Sequence, residues 1–178
     1  MKYLFVVFAA FVFIFSAFGQ KKTTEKNNKK SLAPTLKAAT IEGKIVNTAD
    51  LRGTVIVMNL WFINCPNCIE EIKLLNKVVD EYDGKDVVFL GLATNNKIDL
   101  RKFSKKNPFK YQIVPNAGQF MLASYGELKN GEYFLGFPTH VVIDREGYTV
   151  LKMQGIKGVE AVKNELKKQF ETKETKSK

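Results

Sequence analysis

The apolar positions of this chain fall into two kinds of run. Thr54–Leu60 and Val87–Ala93 are short, nearly unbroken and rich in branched side chains, the pattern of strands buried on both faces. After Cys65 the period lengthens. Ile69, Ile72, Leu75 and Val79 then share one helical face, with Glu70, Lys73 and Lys77 turned away from it. Leu100–Lys106 reads as a second helix with Asp99 at its cap, Tyr111–Val114 as a short strand and Gln119–Tyr125 as a short helix. Thr139–Ile143 and Tyr148–Met153 flank Asp144-Arg145-Glu146-Gly147, a hairpin turn. Val159, Val162 and Leu166 mark a closing helix, and Ile41–Val46 forms a strand of an N-terminal hairpin. Strand and helix alternate first, which implies parallel strands with helices on both faces; the later hairpin adds antiparallel ones. The expectation is an α/β fold, a three-layer α/β/α sandwich with a mixed central sheet and an added N-terminal hairpin.

The first nineteen residues do not belong to that pattern. Lys2 precedes an unbroken apolar run, Tyr3–Phe15, followed by Ser16, Ala17, Phe18 and Gly19. A charged start, an apolar stretch and small residues at its end describe a secretory signal, cut before Gln20. The run is short for a spanning helix, which needs roughly 20 residues; an uncleaved anchor is the alternative. The expected organisation is a signal or anchor at 1–19, a flexible polar linker at 20–37, one domain at 38–170 and a solvated basic tail at 171–178.

Composition narrows the chemistry. The net charge is +10, but the lysines are scattered or lie in the tails, and no nucleic-acid-binding motif accompanies them. No nucleic-acid partner is expected. Two Cys and one His are too few for a structural zinc site or a disulfide scaffold. No phosphate-binding glycine loop or dinucleotide fingerprint is present, and no cofactor is expected.

The two cysteines form Cys65-Pro66-Asn67-Cys68, placed where a buried strand meets a helix. A helix N-terminus carries partial positive charge and unpaired N–H groups, which favour a thiolate. Pro66 suits the first helical position, where a missing N–H costs nothing. Cys68 lies one turn inward on the same side. An exposed nucleophile beside a sheltered thiol suits dithiol–disulfide exchange. A purely structural disulfide, or a metal site of Cys65, Cys68 and His140, would use the same residues. The lone His140 also reads as a half-buried core residue. A second element is Gly136-Phe137-Pro138-Thr139, where a proline enters a strand and a cis bond would explain it.

Taken together these segments resemble the thioredoxin superfamily, specifically the exported TlpA/ResA-like thiol–disulfide oxidoreductases with an AhpC/TSA-redoxin-like domain. The resemblance covers Leu36 to Phe170. It rests on Leu51-Arg52-Gly53, Asn59-Leu60-Trp61-Phe62, the CxxC, Glu71, and Phe137-Pro138-Thr139 running into Val141–Gly147. It implies a thioredoxin-like fold in which Cys65 is the nucleophile, Cys68 resolves the mixed disulfide, and the two form the redox disulfide. Pro138 would be a cis-proline facing them. Trp61, Pro66 and Asn67 would support the site, and Phe137 and Thr139 would contact an extended substrate segment. The implied partners are disulfide-containing exported proteins and a membrane thiol–disulfide reductase as electron donor. The implied role is reduction of exported disulfides, as in cytochrome c maturation, in the periplasm or anchored to the inner membrane facing it.

The chain departs from that pattern at several points. Asn59 stands where thioredoxins bury an aspartate, and Asn95 where many relatives carry a glutamate. Neither familiar carboxylate is therefore present to deprotonate Cys68. Lys73 replaces a proline in the helix, which should then run straighter. Two other functions use the same fold: a copper chaperone with Cys65, Cys68 and His140 as ligands, and a peroxidase, whose usual Pro and Thr are missing from Asn59–Asn64.

Overall fold

The computed structural model describes residues 31–174. The signal or anchor segment lies outside the described residues, as does the linker up to residue 30. The elements run β1 (Ser31–Leu32), β2 (Lys37–Ala39), β3 (Ile45–Asn47), β4 (Val55–Trp61), α1 (Pro66–Glu81) and β5 (Val87–Ala93). They continue with α2 (Lys97–Ser104), β6 (Gln112–Val114), α3 (Gly118–Tyr125), β7 (Glu127–Lys129), β8 (Glu132–Phe134), β9 (Thr139–Ile143), β10 (Tyr148–Gln154) and α4 (Gly158–Glu174).

Six strands form the central sheet in the order β1-β10-β9-β4-β5-β6. β4, β5 and β6 run parallel, and β9, β10 and β1 are added antiparallel. The sheet is therefore mixed, as its sequence pattern implies. All seven residues of β4 are buried, so its side chains alternate between two cores. Val55, Val57 and Trp61 enter one core with Leu75 and Val78 of α1, Leu100 of α2, and Val159, Val162 and Leu166 of α4. Ile56, Met58 and Leu60 enter the other with Ala117, Met121 and Tyr125 around α3 and Val46 of the β2–β3 hairpin. The layers are thus α1, α2 and α4, then the sheet, then α3 with the N-terminal hairpin. α1 runs unbroken through Lys73.

Two boundaries differ from the sequence reading. The linker was expected to reach residue 37, yet Ser31 and Leu32 pair with Thr149 and Tyr148 at the sheet edge, and Leu36 is buried. Two edge residues are too few to show a strand periodicity. At the other end α4 continues to Glu174, past the expected start of the tail. A third difference is a separate two-stranded sheet, β7–β8, where no hairpin was expected. All six of its residues are exposed, so no inward-facing row marks it. Its signal is the turn: Asn130 and Gly131 have φ of 51° and 85°, the paired positive values of a tight hairpin turn.

The Leu51-Arg52-Gly53 and Asp144–Gly147 segments meet at the end of β4 remote from the cysteines. Arg52 Nη1 donates to Glu146 O, and Gly53 N–H donates to Arg145 O over 2.9 Å. These segments brace the fold. Gly147 has φ +87°, and a Cβ there would fall on the Arg52 guanidinium. Gly147→Ala is expected to cost about 2 kcal/mol from the left-handed backbone and the displaced Arg52. Urea unfolding should report that loss while disulfide exchange per folded molecule stays unchanged.

Candidate active site

β4 and α1 are joined by a short loop that ends in Cys65. Cys65 is the N-cap of α1: its backbone is extended, and its Sγ accepts the Cys68 N–H over 3.2 Å. Pro66 occupies the first turn, and that turn has no acidic residue to offset the positive end of the helix. Sγ of Cys65 is bonded to Sγ of Cys68, with the Cα atoms 5.2 Å apart. In this oxidised form both cysteines are buried, Cys65 at 5% and Cys68 at 2%. The expected contrast between an exposed and a sheltered sulfur is therefore absent here. Asn64, Pro66 and Asn67 are exposed around the bridge.

The peptide bond between Phe137 and Pro138 is cis, as the sequence context suggested. Pro138 O accepts the Gly155 N–H over 2.8 Å, which ties this loop to the end of β10. The Phe137 ring meets Phe62 edge-on at 5.3 Å between centroids, joining the proline loop to the loop that carries Cys65. Thr139, expected to contact substrate, does not face outward. It is fully buried, and its hydroxyl donates to Gly136 O over 2.6 Å. The side chain shapes the loop instead.

Trp61 is fully buried in the core that contains both cysteines, 5.5 Å from the Phe103 ring and 5.2 Å from the Phe109 ring. Asn95, which replaces a familiar carboxylate, has a structural task. Its Oδ1 accepts the Ile63 N–H over 2.8 Å and pins the loop two residues before Cys65. Beside it runs a shallow groove lined by Ile63, Asn64, Asn95, Asp99, Lys102 and Phe103.

Beneath the disulfide the structure places what the sequence reading did not supply. The buried stripe of α1 is Cys68, Glu71, Ile72, Leu75 and Val78. Glu71 lies one turn after Cys68 on the same face, only 4% exposed, and neither carboxylate oxygen has a hydrogen-bond partner. Burial pushes its carboxyl up to about 7. Tyr111 is close enough that the Glu71 charge joins burial in pushing its phenol upward. Residues of the sequence motif thus include a buried acid, although neither familiar acidic position is acidic.

His140 is also here. It is fully buried, with Nε2 3.1 Å from Asn59 Nδ2 and 3.4 Å from Glu71 Oε2. Burial holds its pKa down to about 4. The copper-ligand alternative would place this ring at the sulfurs; in this oxidised form its Nε2 meets Asn59 and Glu71. Among the described residues no three His, Cys, Asp or Glu side chains converge on a metal-sized site.

A mixed sheet with a CxxC disulfide capping the first long helix and a cis-proline loop beside it defines a thioredoxin-like thiol–disulfide oxidoreductase. The chain belongs to the AhpC/TSA family, whose sequence profile matches residues 30–151. Among curated proteins it is similar to thiol-disulfide oxidoreductase ResA of Bacillus anthracis, 28% identical over 138 residues, covering 76% of this chain and 75% of the relative. ResA of Bacillus thuringiensis subsp. konkukian is 26% identical over 137 residues, with the same coverage of 76% and 75%. Among solved structures, a thioredoxin-family thiol:disulfide interchange protein from Chlorobium tepidum superposes with a TM-score of 0.67 at 22% identity, over 79% of this chain and 97% of that one. A putative DsbE from the same organism gives 0.65 at 23% identity, over 82% and 96%.

Proposed function

We propose that this chain is an exported reductant of protein disulfides, with Cys65 as nucleophile and Cys68 as resolving thiol. The observation that carries the reading is the Cys65–Cys68 bridge at a helix N-terminus whose first turn has no acidic residue, with a buried acid one turn behind it. On reduction, the Cys65 thiolate sits where the helix end and the Cys68 N–H both favour negative charge. It attacks a substrate disulfide and forms a mixed disulfide. Cys68 then gives its proton to the Glu71 carboxylate, and its sulfur displaces the substrate from Cys65. Two electrons pass from the dithiol to the substrate, which leaves as two thiols.

Phe137 and the cis-proline loop offer backbone to an extended substrate segment, and Pro66 and Asn67 form the exposed rim facing it. Lys2 and the apolar run Tyr3–Phe15 support export to the periplasm, with the domain released or held at the inner membrane. Among the described residues no helix is long and apolar enough to cross a membrane. Disulfide-bearing exported proteins, including apocytochromes c, are the fitting substrates, and a membrane thiol–disulfide reductase is the fitting electron donor.

The test is a redox titration of the Cys65–Cys68 couple in a thiol buffer, read by fluorescence of the single Trp61. A midpoint near about −270 mV, thioredoxin's value, is expected for a reductant. A midpoint near about −120 mV, that of a strong oxidant, would reverse the direction of electron flow and remove the reductive role.

A further inference from the structure

Thiol–disulfide exchange leaves two fully or nearly buried polar side chains without a task, Asn59 and His140. They face each other across the sheet. Asn59 of β4 and His140 of β9 are register partners, and both point toward α1, on the side of Val57 and Val142. Glu71 descends from α1 onto the same spot, so three elements bring Asn59, His140 and Glu71 together 12 and 69 residues apart in sequence.

The protonation of the imidazole follows from what each nitrogen meets. Nδ1 is buried without a hydrogen-bond partner and lies against Gly158, the first residue of α4. The contact is so close that a Cβ on Gly158 would come within 2.0 Å of Nδ1. A buried N–H with no acceptor is costly, whereas a lone pair facing the positive end of a helix is favoured. The proton therefore belongs on Nε2, which faces the Asn59 amide and Glu71 Oε2. With Asn59 turned to present Oδ1, the Nε2–H has the amide oxygen as its acceptor, and its positive end lies 3.4 Å from the Glu71 carboxylate.

The other groups around the pair do not compete for that role. α1 brings Cys68 one turn above Glu71, and the segment entering β6 brings Tyr111, which stays a neutral phenol. α4 contributes Gly158 with the apolar Val159 and Val162, and β10 sets Met153 opposite His140.

We propose that His140 is a positioning residue for the exchange reaction: anchored by Asn59, it turns its Nε2–H toward Glu71 and so makes the Glu71 carboxylate available to accept the Cys68 proton. The inference rests on the assignment of Cys65, Cys68 and Glu71 above. In the step it serves, the Cys68 S–H bond breaks and its proton passes to Glu71. The electron pair left on sulfur forms the bond to Cys65 Sγ. The Cys65–substrate bond breaks, and the departing substrate thiolate is protonated by water. His140 gains and loses nothing; it stabilises the charged form of the acceptor before the proton arrives.

The test follows reduced protein reacting with Ellman's reagent by stopped flow. The first thionitrobenzoate released reports attack by Cys65, and the second reports resolution by Cys68. In the wild type the second phase should rise with pH through the neutral range as Glu71 ionises. In His140→Leu that rise should move about one pH unit upward, making resolution at neutral pH roughly fivefold slower with the first phase unchanged. His140→Gln, whose amide N–H also reaches toward Glu71, should recover part of the shift. Glu71→Gln should abolish the rise, and adding His140→Leu to it should change the second phase no further.

A second readout needs no variant of His140. The chain has one histidine, so one imidazole signal appears in the NMR spectrum. It should move at the pH where resolution rises and lose that step in Glu71→Gln. A wild type that exchanges normally, with an unmoved profile in both His140 variants and a flat imidazole signal, would reduce His140 to a core residue and overturn the inference alone. Absence of the first phase in the wild type would instead overturn the assignment of Cys65, and this inference with it.

Discussion

Cys68→Ser is expected to convert the protein from a catalyst into a trap. Mixed disulfides to Cys65 should accumulate, and turnover with a protein disulfide should fall by more than about a hundredfold. The activation of Cys65 depends on the N-terminus of α1 and on the Cys68 backbone N–H, which lies 3.2 Å from Sγ. A serine keeps that N–H and the helix, so the nucleophile keeps its environment. What it lacks is the second sulfur that would displace the substrate.

The complementary variant, Cys65→Ser, should trap nothing. Its remaining thiol is one turn inward and 2% exposed, on the buried face of α1 that also carries Glu71. Non-reducing gels and mass spectrometry of the two variants, each oxidised with a disulfide-bearing exported protein, separate these outcomes. Equal trapping by both would mean that the two sulfurs are not differentiated, and the assigned order of attack would fall.

The parts legible in the sequence are those specified locally. β4 and β5 announce themselves by unbroken apolar runs, α1 by its period, and the helix cap by Cys65-Pro66. The cis-proline was legible because an odd local feature followed a CxxC at a suitable distance. Elements with little burial were not legible. β1 has two residues, and β7–β8 is exposed throughout, so neither carries a hydrophobic row. The Asn130-Gly131 turn was the one available signal for the hairpin.

The polar cluster was hidden for a different reason. Glu71 occupies a place in the apolar stripe of α1, and a single carboxylate there reads as an imperfection in the pattern. Asn59 interrupts an apolar strand in the same way. His140 lies 81 residues beyond Asn59, and only the β4–β9 register sets them side by side. Each residue alone looks like a polar lapse in a core segment. The three meet in one place, with His140 Nε2 3.1 Å from the Asn59 amide and 3.4 Å from Glu71 Oε2.

Proton linkage gives this cluster a thermodynamic signature. Burial raises Glu71 from 4.5 to about 7 and lowers His140 from 6.5 to about 4. Between pH 4.5 and 6.5 the folded pair holds one proton, on Glu71, and the unfolded chain also holds one, on His140. Equal proton counts mean no slope, so the pair leaves wild-type stability nearly independent of pH across that window. Removing either member exposes the other. In Glu71→Gln the unfolded state alone binds a proton on His140 below 6.5, so stability should fall as pH drops from 6.5 toward 4. In His140→Leu the folded state alone holds a proton on Glu71 above 4.5, so stability should fall as pH rises from 4.5 toward 7. For His140 in Glu71→Gln the gap spans about 2.5 pH units and is worth about 3 kcal/mol; for Glu71 in His140→Leu it is about one unit wider, because the carboxyl has also lost the His140 N–H. Every other titrating group is common to the three proteins, so the difference between urea-unfolding curves isolates the pair. Opposite slopes for the two variants relative to wild type are the expected result. Parallel stability profiles would show that Glu71 and His140 do not balance each other's burial.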